Sequence, residues 1–328
     1  MREMEDAGLR DVAFSCDDRG AKFLCVTVWS MLERCRRGRR IRVNVLEGFG
    51  GHSAESKRAL ADVVARFPNA EVRYIDVEPA VAPYADLIMN RADSRWNVFT
   101  WTPIFVPALL PDASGSVAHF DIDMLFNDDV CKLLDLDLGD DLIAAVAEYG
   151  QGDSPVADAI WGGGILPPEA ERYFNTGTIV FNMAACRAER TWEKLLEWYR
   201  GHYDVADRIE QDAWNALYWR RTRLLPLRWN FHDRLVKSYP KWDLSAKYWL
   251  GNPPRECLEA ALDPAILHFW GPKKPWKTCH RPYRGLYHAA MRAVAETPPR
   301  EPLLAPLYDF MSRRNLRRIR RLLDEAGK

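Results

Sequence analysis

No stretch of this 328-residue chain reaches the ~18 consecutive apolar residues that a membrane-spanning helix requires. The longest apolar runs, 104–110 and 142–147, are the size of a core strand or core helix. Net charge is missing too. The 46 Lys and Arg balance 46 Asp and Glu, which argues against a uniformly basic surface and so against a nucleic-acid binder. Four of the first six residues are charged and no apolar h-region follows, so no signal peptide is expected. Cysteine is scattered rather than paired: Cys16, Cys25, Cys35, Cys131, Cys186, Cys257 and Cys279 are odd in number and contain no C-x-x-C. That pattern fits reduced thiols in a cytoplasmic protein better than a disulfide framework or a zinc knuckle. Internal repeats and low-complexity segments are absent as well.

What is present is globular material. The chain is 48% hydrophobic and 28% charged, and at roughly 150 residues per domain it makes one large or two small domains. Apolar runs at 11–16, 41–46 and 72–77 read as strands, separated by helical spacing at 21–35 and 53–67. Ser53 is a natural N-cap, and Pro68 lies past the end of the second helix. This β-α-β-α-β order predicts an α/β fold, a mostly parallel sheet covered by helices on both faces. Further strands are expected at 117–120, 142–147 and 178–182, and amphipathic helices at 191–203 and 209–219. From about Pro275 the composition shifts toward Pro and Arg, which places a boundary there: a main domain over 1–275, and a C-terminal linker with a basic tail over 276–328.

The chemistry gathers in a few strings. His119-Phe120-Asp121-Ile122-Asp123 delivers two carboxylates at the end of an expected strand, where ligands collect in open α/β sheets. Carboxylates held together need a positive partner, and a hard divalent ion such as Mn²⁺ or Mg²⁺ supplies it. Far downstream, His268-Phe269-Trp270-Gly271-Pro272-Lys273-Lys274-Pro275-Trp276 offers an imidazole, a Gly-Pro turn with bare amides, and two lysines suited to phosphate. Between them, 173–182 and 210–217 set polar groups (Asn175, Gln211, Asp212) at the mouths of apolar elements. On residues alone each string has an ordinary alternative: a solvated turn for Asp121 and Asp123, a core position for His268, a helix first turn for Glu210 and Asp212.

These strings, with 14–18, occur in the order found in the glycosyltransferase family 8 enzymes, which the sequence resembles from about Val12 to Trp276. That family includes bacterial lipooligosaccharide galactosyl- and glucosyltransferases and glycogenin. The resemblance implies a GT-A fold and retaining transfer of a hexose, galactose or glucose, from a UDP-sugar with Mn²⁺ (or Mg²⁺). The acceptor would be a saccharide or glycolipid, such as a lipopolysaccharide or capsular glycan. On this pattern Asp121, Asp123 and His268 are metal ligands, Gly271 and Lys274 hold phosphate, and Asp17, Asp18, Arg19 and Ile122 form the nucleotide site. Asn175, Gln211, Asp212 and Glu148 face the transferring sugar. Gln211 stands where a nucleophile is sought; an amide serves poorly there, which points to front-side attack, with Asp212 the competing nucleophile. Two positions depart from the pattern. Pro103 replaces a donor-contacting Arg, and Arg19-Gly20 occupies the place of an aromatic that stacks on the base. A catalytically silent nucleotide-sugar-binding protein is therefore the rival expectation.

The zero charge is uneven along the chain. Six arginines, at 313, 314, 317, 318, 320 and 321, share a helical stretch with Leu316, Ile319 and Leu323, and the rest of the chain carries −6. A basic amphipathic helix reads either as a contact with an anionic membrane surface, on the inner face of the cell membrane, or as a helix packed on its own domain.

Overall fold

Mostly apolar runs buried on both faces, such as 117–120 and 143–147, make the centre of the sheet. A computed structural model describes residues 8–35, 39–89, 98–148, 166, 172–206, 208–233, 235–236, 252–277, 281–300 and 305–326. Cys279, one of the seven cysteines, lies outside them. The strands are β1 (Arg10–Ser15), β2 (Ile41–Glu47), β3 (Ala70–Asp76), β4 (Ser116–Phe120), β5 (Met124–Phe126), β6 (Ile143–Ala147), β7 (Phe174–Asn182), β8 (Thr222–Leu225), β9 (Phe231–His232) and β10 (Ile266–His268). Seven form one sheet in the order β3-β2-β1-β4-β7-β6-β8, and only β7 runs antiparallel to its neighbours. The other three pair as β5-β10-β9. The fold is the expected mixed α/β with a mostly parallel sheet.

Alternate residues of each strand enter opposite layers. In β1, Val12 and Phe14 pack with helices α1 (Ala21–Arg34) and α2 (Ala54–Val64), while Ala13 faces the other layer. That second layer is built by helical turns between 78 and 109 and by α3 (Met183–Glu189), α4 (Thr191–Gly201) and α5 (Ile209–Tyr218). Helices α6 (Pro254–Leu262), α7 (Arg284–Ala293) and α8 (Ala305–Ala326) join the first layer. Ser53 caps α2 as expected, accepting from the Ser56 N–H at 3.2 Å. The helix stops at Val64, earlier than its spacing suggests, because a residue before proline, here Phe67, is disfavoured in helix.

Two features position the site. The strand order reverses between β1 and β4, which lie side by side and parallel, so their carboxyl ends open one crevice. In β7 the register against β6 jumps from Ile179 opposite Ala145 to Asn175 opposite Val146, leaving 176–178 unpaired with β6 and arched toward that crevice. The small sheet then brings His268 beside it, since β10 pairs antiparallel with β5 and sets His268 opposite Met124.

The tail helix α8 spends its apolar side on the protein itself. Ile319 is fully buried, Leu316, Leu322 and Leu323 pack against the same core, and Asp309 pairs with the buried Arg284. The packed-helix alternative accounts for the apolar stripe, which leaves the arginine face outward. Among the described residues no helix is long and apolar enough to cross a membrane.

A stability prediction arises from the sheet interior. His119 of β4 is buried, 2.9 Å from the Ser15 hydroxyl through Nε2, and burial pushes its pKa down to about 3. The folded protein therefore holds it neutral while the unfolded chain protonates near pH 6.5. The stability it contributes is present above pH 6.5 and lost as pH falls toward 3, at about 1.4 kcal/mol by pH 5.5. Urea unfolding at pH 7.5 and 5.5 is expected to show this loss, and His119→Gln to flatten that part of the pH dependence.

Candidate active site

The strand ends deliver the side chains, and hydrogen bonds fix them. Asp121 and Asp123 follow β4 on a loop pinned to α1 by the Thr27 hydroxyl, which donates to the Ile122 and Met124 carbonyls at 2.6 and 3.0 Å. His268 ends β10, with Nε2 3.2 Å from Asp123 Oδ1 and 3.5 Å from Asp121 Oδ2. The other oxygen of Asp123 accepts from the Lys274 ammonium. One ligand atom each from Asp121, Asp123 and His268 lies within 4.8 Å of the others.

The histidine's tautomer follows from a chain of amides. The Gly177 N–H donates to Asn175 Oδ1 (2.8 Å), and so does Asn230 Nδ2 (2.8 Å), which orients both amides. Asn230 Oδ1 is left to accept from His268 Nδ1 at 2.8 Å. Nδ1 thus carries the proton, and Nε2 faces the two carboxylates. An imidazole held through its far nitrogen by an amide oxygen is how metal-ligating histidines are oriented. Burial alone would lower the His268 pKa, but Asp123 and Asp121 outweigh it and raise the value. Burial opposes the charge on Asp123, yet Lys274 and His268 hold its pKa below the carboxylate range. Two carboxylates and one oriented imidazole converging on a point form a donor set that fits a divalent cation such as Mn²⁺ or Mg²⁺.

Gly177 is what lets these groups meet. A Cβ there would sit 2.7 Å from His268 Cε1, 2.8 Å from Asp121 Oδ2 and 2.9 Å from Asn175 Oδ1. Gly177→Ala is expected to push the ligands apart and weaken Mn²⁺ binding by about 10- to 100-fold, the usual cost of disturbing the groups that orient ligands. Calorimetric titration reads that loss, and an unchanged affinity would show the cradle to be looser than drawn.

A second network adjoins the first through Asn175. Its Nδ2 donates to Glu148 Oε1 (3.0 Å) and Gln211 Oε1 (3.1 Å). Gln211 Oε1 also accepts from the Thr176 backbone at 3.1 Å, and Gln211 Nε2 donates to the Tyr173 hydroxyl at 3.0 Å. Asp212 is engaged at both oxygens, by the Tyr173 hydroxyl (2.5 Å) and the Arg208 backbone N–H (2.8 Å). The Arg208 guanidinium lies over the Tyr173 ring and 3.5 Å from Glu148. Burial pushes the pKa of the neighbouring Glu210 well up.

The structure therefore joins Asp121, Asp123, His268 and Lys274 in one contact group and Asn175, Gln211, Asp212 and Glu148 in another, with Asn230 bridging them. Asp17, Asp18 and Arg19 form a third group at the adjacent end of β1. There Asp17 accepts from the Gly20 N–H and pairs with Arg19, and Asp18 accepts from Ser53. Ile122 packs over this turn; a Cβ on Gly20 would come within 2.8 Å of its Cδ1 and of Cys16 Cβ, so a larger residue forces the turn to shift. Gly271 takes φ +84° in the turn leading to Lys274.

The family model for Glycosyl transferase family 8 matches residues 13–279. The chain belongs to this family. General stress protein A of Bacillus subtilis is 27% identical over 280 residues, 83% of this chain and 90% of that protein. A lipopolysaccharide 1,3-galactosyltransferase of Salmonella typhimurium is 23% identical over 185 residues, 56% of this chain and 50% of that one. The galactosyltransferase LgtC, crystallised with donor and acceptor sugar analogues, matches with TM-score 0.68 and 23% identity over 91% of this chain and 99% of its own. The fold is accordingly GT-A.

Within the family 8 frame, the departure at Pro103 has a structural counterpart. Pro103 is buried in a helical turn, 102–105, with Ile104 and Phe105 in the second layer. Asn230, Gly177, Thr27 and Arg208 escaped the sequence reading. Asn230 carried one signal, a polar residue between Trp229 and Phe231 at the head of a strand ending in His232.

Proposed function

We propose that this family 8 chain is a retaining hexosyltransferase. It moves galactose or glucose from a UDP-sugar to a saccharide acceptor, such as a lipopolysaccharide or capsular glycan, with Mn²⁺ or Mg²⁺ at Asp121, Asp123 and His268. The observation that carries the reading is that this three-ligand cluster shares Asn175 and Asn230 with the amide network around Gln211. The Salmonella relative is named for a lipopolysaccharide reaction, which supports the acceptor class.

In this reading Asp17, Asp18, Arg19 and Ile122 hold the nucleotide at the β1 turn, and Gly271 with Lys274 holds the diphosphate. A divalent cation bound in the cluster supplies positive charge where the leaving diphosphate gains negative charge. Asn175, Gln211 and Glu148 orient the hexose. Both Asp212 oxygens are already occupied and the residue is 2% exposed, which supports a positioning role over nucleophilic attack. The acceptor hydroxyl then attacks from the side of the departing phosphate. Its oxygen bonds to the anomeric carbon, the bond from that carbon to the phosphate oxygen breaks, and the phosphate takes the proton.

Arg314, Arg317, Arg318 and Arg321 line one depression on α8. In the same reading they attract an anionic membrane on the cytoplasmic side, by charge, at about 1 kcal/mol per residue near the surface. Calorimetry of nucleotide sugars with and without Mn²⁺ tests the donor assignment. UDP-hexose binding that tightens with Mn²⁺ is expected, and binding indifferent to both uracil and metal would refute it.

A further inference from the structure

At the other end of α1 from the cleft, about 20 Å away by the length of that 14-residue helix, three metal-binding side chains converge. Cys35 caps the C-terminus of α1, and Asp129 and Cys131 come from the segment after β5. Cys35 Sγ lies 3.3 Å from Cys131 Sγ and 3.6 Å from Asp129 Oδ1. Asp129 Oδ1 also accepts from the Cys131 backbone N–H at 3.0 Å, which holds the carboxylate between the two cysteines. One ligand atom of each residue lies within 4.8 Å of the others, and all three residues are buried. The resemblance to family 8 gives these residues no role, and none of the site networks uses them.

We propose that Cys35, Asp129 and Cys131 form a second metal site, for a thiophilic divalent cation such as Zn²⁺. Two thiolates and a carboxylate suit zinc, whereas the cleft offers only oxygen and imidazole. The spacing favours a metal over a disulfide. Zn–S bonds of ~2.3 Å at a tetrahedral angle set sulfurs ~3.8 Å apart, so the pair opens by ~0.5 Å. An S–S bond of ~2.05 Å needs a closure more than twice as large. The C-terminal end of α1 adds partial negative charge beside Cys35, which favours a cation. Uptake replaces two thiol protons: the metal dication, two thiols and one carboxylate give a complex of charge −1 and release two protons. Three protein ligands leave the fourth position to water. The bound ion ties the end of α1 to the segment leaving β5, so its effect is on stability and not on the sugar chemistry.

The test is a Co²⁺ titration of the reduced full chain, read by thiolate-to-cobalt charge-transfer absorption, which the Asp121, Asp123 and His268 cluster, having no sulfur ligand, cannot produce. The band is expected to saturate at one equivalent, to survive Asp123→Ala, to need at least 10-fold more Co²⁺ in Asp129→Asn, and to vanish in Cys131→Ser. No band in the wild-type protein overturns the proposal, a result that needs no variant to fold. A band of full strength in the Cys35→Ser/Cys131→Ser double variant also overturns it. So does a Cys35–Cys131 disulfide in peptide maps of protein purified without reductant, which would make the pair a redox couple.

Discussion

Asp123→Ala is expected to lower metal-dependent turnover of the sugar donor by at least about 1000-fold, equivalent to ~4 kcal/mol of transition-state stabilisation. The Asp123 carboxylate meets two cationic or titratable partners at once. Its Oδ1 faces His268, its Oδ2 holds Lys274, and its carbonyl accepts from the Phe269 N–H at 2.9 Å. Removing the carboxylate therefore takes one ligand from the proposed cation site, frees the lysine from its anchor, and relaxes the turn to Gly271 only slightly, because the backbone bond remains. Asp123→Asn separates shape from charge. It keeps the side chain's volume and is expected to lose nearly as much activity. Steady-state kinetics with Mn²⁺ varied check both variants. Circular dichroism is expected to stay native, since two mutually repelling carboxylates become one.

The second large effect is on stability. Arg281 and Asp233 form an ion pair at 2.6 Å with side chains 2% and 1% exposed, and Arg281 also donates to the Trp270 carbonyl at 3.2 Å. This pair ties the segment after β9 to the chain that follows the Lys274 turn. Removing one partner breaks a buried ion pair, which costs about 3–5 kcal/mol. Arg281→Met is expected to lower stability by that much. For a chain of this length the unfolding entropy converts it to a fall in Tm of about 4–7 °C. Arg281→Met with Asp233→Leu removes both charges of the pair and is expected to recover part of the loss. Thermal unfolding of the two singles and the double, treated as a cycle, gives the coupling.

Much of this architecture is legible without coordinates, and the reason lies in particular residues. The first strand is readable because a strand buried on both faces carries an unbroken apolar run, Val12-Ala13-Phe14, and the next two because apolar residues recur at every second position (Ile41, Val43, Val45; Val72, Tyr74). The meeting of Asp121, Asp123 and His268 is readable because they sit in short strings whose order is specific. The small sheet is not readable: β9 is two residues long, and its place beside β10 is a tertiary fact. The same holds for Asn230, whose role depends on Asn175, 55 residues earlier in the chain, and on His268, 38 residues later. Gly177 looks like a turn glycine until the atoms around it show that a methyl group would displace His268 and Asp121. The tail's apolar stripe suits both a membrane and a core, and only the burial of Ile319 shows which one it meets.

The most direct measurement of the central claim is the release of UDP from UDP-hexose by the purified chain without acceptor, followed as Mn²⁺ is added. Slow release that needs Mn²⁺, stops with a chelator and disappears in Asp123→Ala is the predicted result. Tight binding of UDP-hexose with no release, with or without metal and with saccharide acceptors present, would contradict it and mark the chain as a silent nucleotide-sugar-binding protein.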